Sequence, residues 1–246
     1  MEGYGPGTYG RSFADVYDDW YGNVSDVAAT IRMVTALAGG GPVVEMGVGT
    51  GRLAKPLAAA GLSVHGLDTS PEMLARLSTS AGADRPTAVL ADMTAPPYRA
   101  GTARVVLFAY NTLLNLLDLA DQRRALAAAA ELLGPDGVVV VEAFLPADPG
   151  DAPSGDLSVR SVTVDRVELH VTRTDPTTRT VAGQIVEITE AGGVRLRPWA
   201  LRATTPAELD RIAGETGLTL VSRHGGWDDE LLDDDATRHV SAYRRA

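Results

Sequence analysis

The residues best placed to do chemistry lie where an apolar run, Val43-Val44-Glu45-Met46, gives way to Gly47-Val48-Gly49-Thr50-Gly51-Arg52. Glycines at alternate positions permit positive φ and let a backbone lie close against a ligand. Free amides at the start of a following helix then face whatever binds there. Asp68 stands 17 residues after Gly51, following the next apolar run. A carboxylate at that place accepts hydrogen bonds from ribose hydroxyls. The spacing departs from the Gly-x-Gly-x-x-Gly of dinucleotide sites, because position 52 is Arg and Gly51 comes one residue early. Glu45, just before the glycines, suits a ligand with an amino group and repels a pyrophosphate.

An alternation of strands and helices must position these groups. Val43 to Met46 reads as a strand, Thr50 to Ala60 as a helix closed by Gly61, Ser63 to Leu67 as a strand and Pro71 to Ser80 as a helix. Thr87 to Leu90 and Ala103 to Ala109 are the third and fourth strands. Asp121 caps an alanine-rich helix ending at Leu133-Gly134-Pro135, and Gly137 to Ala143 is the fifth strand. This spacing predicts a parallel sheet covered on both faces. Ahead of it, Phe13 to Ala38 reads as helix, broken at Gly22-Asn23.

Beyond the fifth strand the pattern changes. Residues 146–156 form a polar loop rich in Pro and Gly, followed by alternating runs at Leu157 to Val164, Val167 to Thr174, Thr180 to Thr189 and Val194 to Ala203. They predict an antiparallel meander. Thr205-Pro206-Ala207-Glu208 opens a helix with a capping box, and Leu218 to Ser222 and His239 to Tyr243 supply two final strands. The expected division is a helical cap over 1–41, a ligand-binding core over 42–145 and 204–246, and a β lid or substrate subdomain over 146–203.

Composition narrows the partners. The 246 residues are 45% apolar with a net charge of −10. A surface this acidic repels phosphate backbones, so nucleic acid is not expected as a partner and cationic molecules are favoured. Apolar runs are too short to span a bilayer and the first residues do not form a secretory signal, so no membrane partner and a cytoplasmic location are expected. The absence of cysteine excludes disulfides, thiolate nucleophiles and cysteine-ligated metals. The chain acts alone or as a homodimer, a choice the sequence leaves open.

S-adenosylmethionine carries an amino group and a sulfonium but no phosphate, so the residues favour it over a nicotinamide cofactor. Glu45 to Gly51, Asp68, Asp92-Met93 after the third strand and Leu133 to Gly137 together resemble class I S-adenosylmethionine-dependent methyltransferases. The resemblance implies an α/β fold, a doubly wound Rossmann-like seven-stranded sheet whose last strand is antiparallel, with the β-meander lid inserted after strand five. It implies that Glu45 holds the methionine amino group, that the turn with Gly47, Gly49 and Gly51 packs on the cofactor, and that Asp68 binds the ribose. Asp92 would meet the adenine amino group, with Met73 and Met93 flanking the ring. Tyr17, Tyr21, Arg52, Thr69 and Phe108 complete the expected cofactor set.

The N-terminal Tyr17-Asp18-Asp19-Trp20-Tyr21, the meander and Asn111-Thr112-Leu113-Leu114 resemble bacterial natural-product N-methyltransferases. These are the amino-sugar N,N-dimethyltransferases and the enzymes that methylate terminal amines of linaridin- and daptide-type peptides. The resemblance implies a small-molecule or peptide amine as acceptor. An O-methyltransferase and a non-catalytic cofactor-binding scaffold are the alternatives. Phe108-Ala109-Tyr110-Asn111 does not match the Asp/Asn-Pro-Pro-Tyr/Phe of nucleobase methyltransferases, and only Asn111 is present of the cluster a metal-dependent enzyme needs, so no metal is expected.

Methyl transfer from a sulfonium is an in-line displacement, so orientation supplies most of the acceleration. Tyr17, Tyr110, Asn111 and His224 are the expected catalytic set, His224 as a modest base. Trp20 is a further candidate beside the sulfonium. Glu142, at the end of strand five, points to the same edge and could hold an ammonium. His65 and His170 read as sheet residues, and the acids from Asp228 to Asp235 as a solvated turn.

Overall fold

A computed structural model describes residues 1–22, 24, 26–79, 85–146 and 153–246. Eleven strands are described: β1 (Val43–Met46), β2 (Val64–Asp68), β3 (Thr87–Leu90), β4 (Ala103–Phe108), β5 (Leu133–Phe144), β6 (Ser154–Val162), β7 (Arg166–Asp175), β8 (Thr180–Thr189), β9 (Gly193–Arg202), β10 (Leu218–His224) and β11 (Arg238–Arg245). The helices are α1 (Thr8–Phe13), α2 (Tyr17–Tyr21), α3 (Val27–Ala38), α4 (Ala54–Ala59), α5 (Pro71–Ser78), α6 (Leu119–Leu132) and α7 (Pro206–Gly214), with a 3-10 turn at Thr112–Asn115.

One sheet has seven strands in the order β10-β11-β5-β4-β1-β2-β3, and β11 runs antiparallel to both its neighbours. The other has four antiparallel strands, β6-β7-β8-β9. The period-2 alternation of side chains sorts the large sheet's residues between two cores. Val44, Met46, Val106, Phe108 and Val139 pack with α6 and α7 on one face, while Val43, Val105, Leu107 and Val140 pack with α3 and α4 on the other. From β1 the chain builds outward in both directions, to β2 and β3 on one side and to β4 and β5 on the other. Crevices at such switch points, outside the carboxyl ends of the strands, receive ligands.

Several boundaries differ from the sequence reading. Over the stretch read as helix broken at Gly22-Asn23, α2 ends at its C-cap Gly22 and Asp26 starts α3 by accepting from Ala29 N–H at 2.8 Å, while Phe13 instead closes a separate α1. The proposed break falls partly on Asn23, outside the described residues, as do residues 147–152 of the Pro- and Gly-rich loop. Helix α4 starts at Ala54, since positive φ at Gly49 and Gly51 keeps the preceding residues in a turn. Asp118, not Asp121, caps α6 by accepting from Ala120 N–H. Strand β5 begins at Leu133, where Leu133 pairs with Ala103, so the segment read as a helix stop is already strand. Among the described residues no helix is long and apolar enough to cross a membrane.

Candidate functional site

The glycine turn leaves β1 at the switch point. Gly47 has φ 71 and a Cβ there would lie 2.5 Å from Thr112 Cγ2, so this position excludes any side chain. Gly49 has φ 56 and open space where its Cβ would stand, which is the side from which a ligand can approach the backbone. Its N–H donates to Asp68 Oδ2 at 2.9 Å, and Ser70 N–H donates to Oδ1 at 2.8 Å. Burial pushes the Asp68 pKa up, while the Ser70 and Gly49 amides pull it back. Gly47→Ala is expected to cost about 1–3 kcal/mol of stability, from overpacking against Thr112 and from a left-handed φ. Thermal unfolding of the ligand-free protein checks this, with cofactor titration showing whether the displaced turn also loses binding.

Glu45 lies behind this turn, 4% exposed, and its Oε2 has no hydrogen-bond partner. Burial lifts its pKa to about 8; the guanidinium of Arg52 and the Ala54 amide pull it down, and Asp68 pushes it further up. Arg52 also lies 5.6 Å over the ring of Tyr110.

Aromatic rings close the opposite wall. Tyr17 and Tyr21 lie 5.0 Å apart, Tyr21 and Tyr110 5.9 Å, and Tyr9 stacks on Phe13 at 4.4 Å. Burial drives the Tyr17 pKa to about 12 against the pull of Arg52, and burial with nearby Tyr21 drives Tyr110 to about 12. Both phenols therefore stay neutral across the physiological range. The wall is tied to the turn by Thr50 Oγ1, which donates to Asp18 Oδ1 on α2.

Tyr110 and Asn111 both adopt positive φ, at 44° and 65°. Such strain persists only where the surroundings over-determine it. Glu142 Oε2 accepts Tyr110 N–H at 2.7 Å, Glu142 O accepts Asn111 N–H at 3.0 Å, and Asn111 Oδ1 accepts Phe144 N–H at 2.7 Å. Glu142 thus pins this turn, with Arg238 3.9 Å from its Oε1, and like Glu45 it is not among the residues that line the cavity.

These groups surround a cavity of about 780 Å3. Of the expected residues, Tyr17, Tyr21, Gly47, Gly49, Asp68, Thr69, Met73, Asp92, Met93, Tyr110 and Asn111 line it. Glu45, Gly51 and Arg52 are not among its lining residues. Phe108 is fully buried in the sheet core, since its side chain falls on the α6 face of β4. His224 is not brought to the cavity. It ends β10 at the outer edge of the large sheet, with Nε2 3.7 Å from Asp229. Trp20 stacks under Arg160, 4.0 Å from its guanidinium, rather than facing the cavity.

Sequence reasoning missed Tyr4, Tyr9, Asp118, Asp121, Arg160, His170 and Trp199, all of which line the cavity. His170, read as a plain sheet residue, stacks on Trp199 at 5.3 Å. Burial and the charge of Arg160 lower its pKa, with Asp156 opposing them. The glycines at positions 3, 5, 7 and 10 were the available signal for Tyr4 and Tyr9. Gly10 lets α1 lie against α5, where a Cβ would meet Ser70 at 2.2 Å.

A switch-point crevice holding a glycine turn, a buried acid before it and a second acid after the next strand defines a nucleoside-binding α/β protein without a phosphate clamp. Residues 43–137 match the family model described as a methyltransferase domain. The chain is similar over 99% of its length, and 100% of the other chain, to the CcbJ methyltransferase from Streptomyces caelestis, with 36% identity and a TM-score of 0.90. The sugar N-methyltransferase KedS8 from Streptoalloteichus shares its fold at 21% identity and a TM-score of 0.69, covering 94% of this chain and 93% of that one. CalS10, an amino pentose methyltransferase from Micromonospora echinaspora solved with bound S-adenosylmethionine, does so at 22% identity and 0.66, covering 92% and 96%. No curated protein sequence matches the chain. The chain belongs to the S-adenosylmethionine-dependent methyltransferases, which removes the scaffold reading.

The residues present fit that cofactor. An unpartnered buried carboxylate oxygen on Glu45, an open backbone at Gly49 and the carboxylate of Asp68 provide acceptors for an amino group and ribose hydroxyls. Met73, Met93 and Asp92 are among the residues that line the cavity. When bound, S-adenosylmethionine supplies an electrophilic methyl group on a sulfonium. Neutral tyrosine faces beside such a cation stabilise it by roughly 0.5–2 kcal/mol.

Proposed function

We propose that this enzyme methylates an amine nitrogen of a natural product, a terminal peptide amine or an amino sugar. The observation that carries the reading is that two acids, Asp118 and Asp121, line the cavity near the 3-10 turn, Asp118 also capping α6 through Oδ1 and Asp121 pairing with Arg124 through Oδ1 at 2.5 Å. An acidic wall in a chain of net charge −10 attracts an ammonium-bearing acceptor. Relatives of this fold include a sugar N-methyltransferase, an amino pentose methyltransferase and a glycopeptide N-methyltransferase, which supports an amine acceptor.

The chain's own work is to desolvate, orient and accept a proton. Asp118 and Asp121 draw the cationic acceptor in, and the tyrosine wall excludes water around its nitrogen. An amine attacks only as the free base, and each pKa unit above the operating pH costs about 1.4 kcal/mol. The nitrogen lone pair forms the new N–C bond as the methyl–sulfur bond breaks, and the displaced N–H proton leaves to a base. His170 is an imidazole on the cavity wall available to take it; burial and Arg160 lower its pKa and so disfavour the imidazolium, which makes its help modest.

The same uncharged His170 favours a second reading, a hydroxyl acceptor, which needs a base more than an amine does. Mass spectrometry of reactions supplied with cofactor and separate pools of amino sugars, amine-bearing peptides and hydroxyl compounds distinguishes them. Methyl gains confined to the amine pools are expected, with His170→Ala lowering kcat only a few-fold. Gains only in the hydroxyl pool, with His170→Ala costing about 10²–10⁴-fold as for lost general-base catalysis, would replace the amine reading.

A further inference from the structure

We infer, on the reading that an amine acceptor enters this cavity, that Arg160 holds a carboxylate of that acceptor, which is therefore a zwitterion. Among the described residues, Arg160 is the one arginine or lysine that lines the cavity. The backbone builds its position. Ser158 of β6 pairs with His170 of β7 and Val159 with Leu169, but Glu168 then pairs with Ser161, so Arg160 is the extra residue of a β-bulge. Bulges re-aim a side chain next to active sites. Here Val159 stays on the outer face, 63% exposed, while Arg160 reaches the inner face beside His170 and Glu168.

The guanidinium is fixed without being used up. It stacks over Trp20 at 4.0 Å, which covers a face of the fork and leaves the N–H donors that lie in its plane. Its pair with Glu168 is made from Nε at 3.6 Å, and Arg166 meets the other Glu168 oxygen at 3.5 Å. From Arg166 the ion pairs run on to Glu187, Arg197, Asp15 and Arg195, and the arginines of this network outnumber its acids by one. Arg160 is its member at the cavity, with a side chain 27% exposed, so the surplus positive charge meets an incoming anion there. The Tyr21 ring lies 5.9 Å from this guanidinium and 5.9 Å from the Tyr110 ring, which puts the cation one ring away from Tyr110. A single guanidinium suits a planar, singly charged carboxylate, met through two parallel N–H···O bonds. A phosphate or diphosphate brings more negative charge than the surplus matches, into a cavity that Asp118 and Asp121 also line in a chain of net charge −10. Those two acids suit the other end of a zwitterion, its ammonium.

Matched acceptors test this in reactions supplied with cofactor: amine-bearing acids against their carboxamides, and hydroxy acids against theirs. The wild type is expected to prefer the free acid by about 10- to 100-fold in kcat/KM, chiefly through KM, the scale of one charge-assisted pair. Arg160→Gln should abolish that preference and Arg160→Lys should restore part of it. A role confined to packing against Trp20 and Glu168 would weaken acid and amide alike and leave their ratio intact, which overturns the inference. Where Arg160→Gln fails to fold, Arg160→Gln with Glu168→Gln removes both charges together, and the wild-type preference, falling as salt rises, is read without any variant. Equal use of acid and amide by the wild type, or preference for a phosphorylated acceptor over the acid, also overturns it. Methyl gains confined to hydroxy acids would remove the amine reading and keep the carboxylate, whereas gains in amines regardless of the carboxylate would do the reverse. If no pool is methylated, calorimetric titration of the same acids and amides into the protein loaded with S-adenosylhomocysteine decides: binding of acids over amides supports the site, and equal or absent binding removes it.

Discussion

Replacing Glu45 by Gln is expected to weaken S-adenosylmethionine binding by about 10- to 100-fold, the worth of a hydrogen bond to a charged group at roughly 1.5–3 kcal/mol. The pH dependence is the sharper signature. Glu45 is protonated below its pKa of about 8, whereas an ammonium held there would need the carboxylate. Wild-type affinity should therefore strengthen as pH rises from 6 to 8, by up to about tenfold per unit, and level off above 8. Gln at this position should flatten the profile. The ligand-free protein should respond in the opposite sense. The folded state holds the Glu45 proton between 4.5 and about 8 while the unfolded chain releases it, so this residue's contribution is full below 4.5 and is lost as pH rises through 8. Above pH 8 the loss amounts to about 3–5 kcal/mol, and E45Q should melt higher than wild type there. Calorimetric titration and thermal unfolding between pH 5 and 9 read both effects. A pH-independent wild-type affinity would remove Glu45 from the ammonium site.

The large sheet and the glycine turn were legible because each rests on local signals. Apolar runs separated by helical spacing give parallel strands, and Gly47, Gly49 and Asp68 carry their conformational or hydrogen-bonding reason in their own identity. The seventh-strand reversal came only with the family resemblance. What escaped the sequence depends on contacts between distant segments. Phe108 and Tyr110 sit two apart, yet β4 ends between them, so one is core and the other lies on a strained turn pinned by Glu142 from the next strand. His224 and His170 illustrate the same limit. Each follows or occupies a strand, and only the strand order puts the first at the sheet's edge and the second over the cavity. Which face of the meander turns inward also escaped: alternation showed two faces but could not say that Glu168, Glu187 and Arg197 lie on the inner one beside Ile185 and Trp199.

The inward charges make Arg197 the side chain whose loss should destabilise the protein most. It is 1% exposed, donating to Ser12 O and Asp15 Oδ1 through Nη1, and to Glu187 Oε2 at 3.0 Å and Asp15 Oδ2 at 3.2 Å through Nη2. It thereby fastens the segment between α1 and α2 to β8 and β9, and Trp20 lies across its guanidinium at 5.1 Å. Arg197→Met leaves Glu187, itself 8% exposed, without its closest cation, and Arg166 at 3.5 Å is a poor substitute. Breaking one partner of a buried pair costs about 3–5 kcal/mol, which for a chain of this size lowers Tm by roughly 6–20 °C. Adding Glu187→Met should recover part of that loss, since the uncompensated charge is then gone. Asp15 gives a second readout. Burial works to raise its pKa, but Arg197 and Arg195 outweigh burial and hold it below the usual carboxylate range. Its contribution is thus present above the ordinary carboxylate pKa and is lost as pH falls through the depressed value, so wild type and R197M should converge in acid. Because the same segment carries Tyr9, Tyr17 and Tyr21 to the cavity, R197M should also raise the KM for S-adenosylmethionine at temperatures where it remains folded. A variant that melts with wild type and keeps its KM would mean that the aromatic wall is held by Asp18 and Thr50 without Arg197.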